Sequence, residues 1–206
     1  MYLSQLRLNP TSSAARRDLA DPYQMHRTLS RVFVDGADVR PSRFLWRLER
    51  ASSMADTGAV LVQSERQGHW NALDEFPGYV ASLQADKPLN IEKLAIQGRH
   101  CRFRLAANPT VTRDGKRVGL LREEQQLTWL RRQGQRGGFD IVGATCSSCD
   151  RIDVPHGKRA ARLTVTRVQF DGVLIAREPA MLQRTLQAGI GHAKALGLGL
   201  LSLAPA

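Results

Sequence analysis

The chain has 206 residues, 42% hydrophobic and 24% charged, with a formal net charge of +11. Such a composition fills one large core or two domains of about 100 residues each, and it excludes wholesale disorder. It also excludes a membrane span, which needs roughly 18 consecutive apolar residues, and the positive charge turns the chain toward polyanionic partners.

Residues 1–8 read as a strand with Tyr2, Leu6 and Leu8 on one face. They lack the apolar stretch of a signal peptide. Three cysteines suit a reducing compartment, so the expected location is cytoplasmic. Residues 9–20 are small and polar, with Arg16 and Arg17 exposed, and read as a loop. Asp21 is then a good N-cap and Pro22 a good first helical residue. The helix they open runs to about Val34 and stops before Asp35-Gly36. Strands at 44–48 and 59–62 flank a turn around Asp56-Thr57-Gly58. A helical turn near 72–75 and a weak strand near 79–83 follow, and residues 86–90 read as a linker.

The second half repeats the order more clearly. Residues 94–107 read as a strand, continued by a hairpin around Asp114-Gly115. A helix over 122–136 carries Glu123 and Glu124 in its first turn and Arg131, Arg132 and Arg136 in its last, which suits the helix dipole. Gly137-Gly138 ends it. Strands at 139–146 and 162–175 are joined by the basic segment 151–161. Pro179 opens a helix to about Ala188, and residues 197–203 form a last strand. Strand, helix, strand, strand, helix, strand is the ferredoxin-like order, and the first half is compatible with a degraded copy. The expected fold is α+β: two tandem ferredoxin-like (RRM-like) domains, residues 1–88 and 89–206. No sequence identity relates the halves, so the duplication rests on architecture alone.

The charge is unevenly divided. Residues 1–88 hold 11 basic and 10 acidic side chains, whereas residues 89–206 hold 19 and 9. Arg makes up 25 of the 30 cations, and its fork suits phosphate. A biased composition explains Arg over Lys but not the asymmetry.

On the first helix, at about 100° per residue, Met25, Leu29, Val32 and Phe33 form one stripe facing the core. Tyr23, His26 and Ser30 lie beside it, and Arg27 and Arg31 continue onto the polar face. Tyr23 and His26 are helical neighbours. Two descriptions fit: an amphipathic helix with a boundary histidine, or an imidazole near neutrality that gives and takes protons beside a phenol. The segment 189–199 holds Gly189, Gly191, Gly197 and Gly199 with His192 and Lys194. It matches neither the P-loop nor the dinucleotide-binding fingerprint. Its glycines serve either a helix cap and close sheet packing or a phosphate cradle of backbone N–H groups.

His156, Lys158, Arg159 and Arg162 cluster between two strands and make a basic hairpin. Arg102 and Arg104 share one strand face, where they either track a nucleic-acid backbone or protect an edge. Aromatics are only 6%, so no base-stacking platform is expected and a duplex stem is the better substrate. Cys146 and Cys149 have metal-ligand spacing, but a tetrahedral site needs two more ligands, and only Cys101, His100 or His156 could supply them. They read as free thiols in a solvent-facing turn, and no metal or cofactor is expected. His69 and His100 show no partner pattern.

Three stretches together resemble the CasE family, the CRISPR RNA-processing endoribonucleases of type I-E systems. They are the opening Met1-Tyr2-Leu3-Ser4-Gln5-Leu6, the segment from Asp18-Leu19-Ala20-Asp21-Pro22-Tyr23 to His26-Arg27, and the ending from Gly189-Ile190-Gly191 to Ala204-Pro205. Residues 103–110, Gly115-Lys116-Arg117 and Phe170-Asp171-Gly172 also fit. The resemblance implies two ferredoxin-like domains and metal-independent cleavage of each CRISPR repeat on the 3′ side of its stem-loop. It implies retention of the mature guide RNA with other Cascade subunits, and no membrane partner. It aligns the family's catalytic pair with Tyr23 and His26 and its glycine-rich loop with 189–199, where His192 replaces an expected Arg. It matches the RNA-gripping hairpin to 156–162.

The implied chemistry is attack by the substrate's own 2′-hydroxyl, leaving a 2′,3′-cyclic phosphate and a 5′-hydroxyl. His26 would move protons, Tyr23 would orient it or the phosphate, and Arg27, Arg31 or Lys194 would stabilise the developing charge. The alternative from another class is a non-catalytic subunit that caps the guide-RNA hairpin. A DNA-binding regulator would need a helix-turn-helix pattern, which the chain lacks.

Overall fold

A computed structural model of the chain describes residues 1–36, 39–49, 58–156 and 161–206, with side chains described outside 154–156 and 161–163. Two compact units emerge: residues 1–89 with 195–197, and residues 90–194 with 198–206.

The first unit runs β1 (Tyr2–Leu8), α1 (Ser13–Ala20), α2 (Pro22–Val32), β2 (Phe44–Glu49), β3 (Ala59–Ser64), a 3₁₀ turn (Trp70–Glu75) and β4 (Val80–Pro88). Its antiparallel sheet has the order β2-β3-β1-β4. In the central strand, Leu6 faces Val60 on one side and Leu83 on the other. The stripe expected on α2 does face inward: Met25, Leu29, Val32 and Phe33 pack with Leu6, Trp46, Val62 and Tyr79.

Two expectations for this unit need correction. Within the expected loop, residues 13–20 are helix α1, with Arg16 and Arg17 exposed on it. Ala15 and Asp18 are buried, and Asp18 accepts hydrogen bonds from the Tyr79 hydroxyl (2.8 Å) and Arg17 Nε (2.7 Å). A helix anchored by a polar pair escapes a search for apolar periodicity. The expected linker begins inside β4: Lys87 and Pro88 pair with Leu3 and Tyr2. Asp86, at a register shift with φ 52, accepts from Gly68 N and from Trp70 Nε1 (3.0 Å). Of the expected turn at 56–58, only Gly58 is among the described residues, with φ 77.

The second unit runs β5 (His100–Ala107), β6 (Thr110–Arg113), β7 (Lys116–Gly119), α3 (Glu123–Arg136), β8 (Phe139–His156), β9 (Ala161–Ala176), α4 (Pro179–Ala188) and β10 (Leu201–Pro205). Its sheet order is β10-β5-β9-β8, again antiparallel, while β6 and β7 pair as a separate hairpin. Renumbered from its own first strand, this order is that of the first unit. Both units are therefore ferredoxin-like, the second helix of the first being reduced to the 3₁₀ turn. Phe103, Leu130, Phe139, Phe170, Leu174 and Leu182 are buried in this unit.

Three boundaries differ from expectation here. Residues 94–99 precede β5 rather than extending it, and β10 begins at Leu201. The expected connection at 151–161 is largely strand, because β8 and β9 pair from Phe139↔Ala176 out to His156↔Ala161. Cys146 and Cys149 therefore sit within β8, at a register shift, and not in a turn. No described helix is long and apolar enough to cross a membrane.

Candidate functional site

Helix α2 begins as its sequence dictates. The Asp21 carboxylate accepts from the Tyr23 backbone N–H at 2.9 Å, and Pro22 follows the cap. The cap fixes where the first turn starts. It leaves Tyr23 47% exposed, with His26 half-buried one turn on. The imidazole stacks on Phe44 of β2, with centroids 5.0 Å apart and planes at 24°. Phe44 stacks in turn on Phe33 at 4.8 Å. His26 Nδ1 is buried without a hydrogen-bond partner, and burial lowers the ring's pKa below the usual histidine value. The ring is thus held neutral near pH 7.

The neighbours divide into engaged and available groups. Ser30 donates to the His26 carbonyl at 2.7 Å, so its hydroxyl serves the helix and not the ring. Arg31 pairs with Glu75 and lies over the Phe76 ring, 5.1 Å from its centroid. Arg27 is exposed and reaches only Gln24 at 3.3 Å. Tyr23, His26 and Arg27 are the available part of the helix. No hydrogen bond joins Tyr23 to His26 among the described residues.

The glycine-rich segment is not uniform. Gly189 caps α4, and Gly199 donates to Ala106 O at 2.7 Å while accepting from Ile190 N at 2.8 Å. A Cβ on Gly197 would lie 2.8 Å from the Trp46 ring. These glycines serve backbone geometry and close packing. The stretch around Gly191 is different: His192 is exposed, Ala193 holds φ 63, and the Gly191 and His192 N–H groups have no partner among the described residues. Lys194 opens the short 3₁₀ turn that follows.

A family model described as "CRISPR associated protein" matches residues 1–205. The chain is 39% identical to the CRISPR-associated endoribonuclease Cse3 of Thermus thermophilus, over the full length of both. It is 32% identical to the Cascade subunit CasE of Escherichia coli, again over both full lengths. A solved structure of Cse3 bound to a 19 nt RNA superposes with a TM-score of 0.91 at 38% identity, covering both chains completely.

The chain belongs to the CasE family of CRISPR-associated proteins.

Within this CasE-family chain, the remaining sequence-derived cations are placed unevenly. Arg102 and Arg104 are exposed on β5, but Arg102 Nε donates to Pro205 O (3.2 Å) and Arg104 pairs with Asp171 (2.6 Å). Burial pushes the Asp171 carboxyl up, yet hydrogen bonds from Arg104, Gln169 and Ser147 outweigh it and hold the pKa below the usual value. Lys158 and Arg159 lie outside the described residues. Arg162 is placed only by its backbone, opposite Pro155.

Cys101, Cys146 and Cys149 are free thiols. Burial, the Glu123 carboxylate and Cys149 push Cys146 up to about 11. Among the described residues no three His, Cys, Asp or Glu side chains cluster to hold a metal ion. His69, expected to be unpartnered, faces Asp35 at 3.4 Å. Sequence reasoning missed Phe44, because a ring on a strand 18 residues from His26 leaves no helical periodicity to read.

Proposed function

We propose that this protein is a metal-independent endoribonuclease that cuts CRISPR repeat RNA on the 3′ side of its stem-loop. The processed guide RNA then stays bound to it within a Cascade-type complex in the cytoplasm. The named activities of its relatives support this reading: Cse3 is an endoribonuclease and CasE a Cascade subunit. The observation that carries the chemistry is on α2. A half-buried, neutral imidazole lies one turn from an exposed phenol, and the exposed Arg27 is the next residue along the helix.

In the proposed reaction, the 2′-hydroxyl loses its proton as its oxygen bonds to the adjacent phosphorus. The bond from phosphorus to the 5′-oxygen breaks, and that oxygen takes up a proton. The products are a 2′,3′-cyclic phosphate and a 5′-hydroxyl. A neutral His26 accepts the first proton, and its imidazolium supplies the second. Tyr23 orients the phosphate, and Arg27 offsets the charge that develops on its oxygens.

The substrate brings its own nucleophile, so the reaction needs proton transfer and charge stabilisation only. Cleavage of a labelled repeat hairpin is expected to proceed in excess chelator. His26→Ala should abolish cleavage yet bind the RNA within about threefold of wild type, because one neutral ring adds little to a surface dominated by phosphate attraction. Activity that vanished with chelator and returned with magnesium would overturn the mechanism. Wild-type rates in His26→Ala would remove the histidine from it.

A further inference from the structure

The second unit contains a groove of ≈ 430 Å³ that none of the residues discussed so far explains. Its size is that of a small-ligand or single-nucleotide site, in a general range of about 300–1,000 Å³. Arg117 enters it from β7, Arg151 from β8, Thr166 from β9, and His192 from the glycine-rich segment, with Asn108 in the wall.

Two features set this groove apart from the other basic surfaces. First, its cations are unpaired. Arg104 is tied to Asp171, and Arg31 to Glu75. Arg117 and Arg151 are both exposed and have no hydrogen-bond or ion-pair partner among the described residues. His192 feels one of them: burial, and then the charges of Arg117 and Lys194, lower its pKa. Thr164, also in the wall, donates its hydroxyl to Asp153 at 2.6 Å. Second, Asn108 Oδ1 is buried with no hydrogen-bond partner. An orphan acceptor of this kind has a place for a donor from a ligand. On the glycine-rich segment, whose His192 and Ala193 line the groove, the Gly191 and His192 N–H groups have no partner among the described residues.

One chemistry answers both features. RNA backbone offers anionic phosphate oxygens to the arginines and a 2′-hydroxyl donor to the amide oxygen. We propose that this groove holds one nucleotide step of RNA backbone, with phosphate on Arg117 and Arg151 and a ribose 2′-hydroxyl on Asn108. The proposal rests on the RNA-processing reading above and adds residues that the sequence alone did not single out as RNA contacts. It also accounts for the replacement at His192. With Arg117 and Arg151 lining the groove, the phosphate attraction does not depend on a cation at that position.

The test is salt-dependent binding of a labelled repeat hairpin to the full-length chain, followed by anisotropy. Arg117→Ala/Arg151→Ala should weaken binding about tenfold near 0.15 M salt and lower the log–log salt slope by about 0.7–0.9, one phosphate's worth. Asn108→Leu should weaken binding several-fold with the slope unchanged, because it removes an uncharged contact. Arg184→Ala, a control on the exposed side of α4, should match wild type in both. An unchanged slope in the double variant overturns the phosphate assignment. Wild-type affinity in Asn108→Leu overturns the sugar contact. Failure of the wild-type chain itself to bind the hairpin sinks the RNA reading, and the groove with it.

Discussion

A histidine moves protons usefully when its pKa lies near the working pH and one ring nitrogen is reachable. At His26 the stack on Phe44 and burial set the first of these. Charging the ring would put a cation in a half-buried position where Nδ1 has no hydrogen-bond partner. The neutral form is therefore favoured, and for the ring to accept a proton at Nε2, as proposed, its neutral tautomer must carry its own proton on Nδ1. The unfolded chain binds this proton more readily than the folded one. Its contribution to stability is thus full above the ordinary value of 6.5 and declines as pH falls through that value toward the lowered folded pKa. In catalysis, a base held neutral gives a rate that rises with pH and levels off below 6.5. Phe44→Ala exposes the ring, so this rising limb should move up toward pH 6.5 in single-turnover rates measured across it. A limb that stays in place would mean that the stack does not tune the histidine.

Among the elements, legibility followed how local the cause was. Helix α2 was readable because its cap, its proline and its apolar stripe all lie within the thirteen residues from Asp21 to Phe33. Helix α1 was not, because its anchor is Asp18 against Tyr79, 61 residues apart in sequence. The end of β4 was hidden for another reason. Pro88 reads as a breaker, but β4 is an edge strand, where a missing N–H is tolerated. Arg104 was legible as exposed but not as engaged, since Asp171 lies 67 residues away. The Asp18–Tyr79 bond predicts a stability effect. Tyr79→Phe keeps the ring's packing and removes a charge-assisted hydrogen bond, so it should cost about 1.5–3 kcal/mol. Urea unfolding would show this as a lower midpoint with an unchanged m-value. An unchanged midpoint would mean that Arg17 alone satisfies the buried carboxylate.

Over the whole molecule, charge and fold point the same way. Residues 89–206 carry 19 basic against 9 acidic side chains, and the segment between β8 and β9 holds Lys158 and Arg159 just ahead of Arg162. A cationic hairpin arm of this composition suits the phosphates flanking a duplex groove, whereas a chain with 6% aromatics is poorly equipped to stack single-stranded bases. Changing Lys158, Arg159 and Arg162 together to Ala should weaken hairpin binding and lower the log–log salt slope by about 2–3. The stem lies upstream of the proposed cut, so cleavage would not consume what this segment is proposed to grip. Product release should then be far slower than chemistry, and each protein molecule should cut about one RNA. Both quantities come from one preparation: the slope for the triple variant, and the amount of RNA cut per wild-type protein at long times. An unchanged slope would remove the segment from the interface. Rapid multiple turnover would make the protein a free processing nuclease, since a lasting subunit must hold its product after the cut.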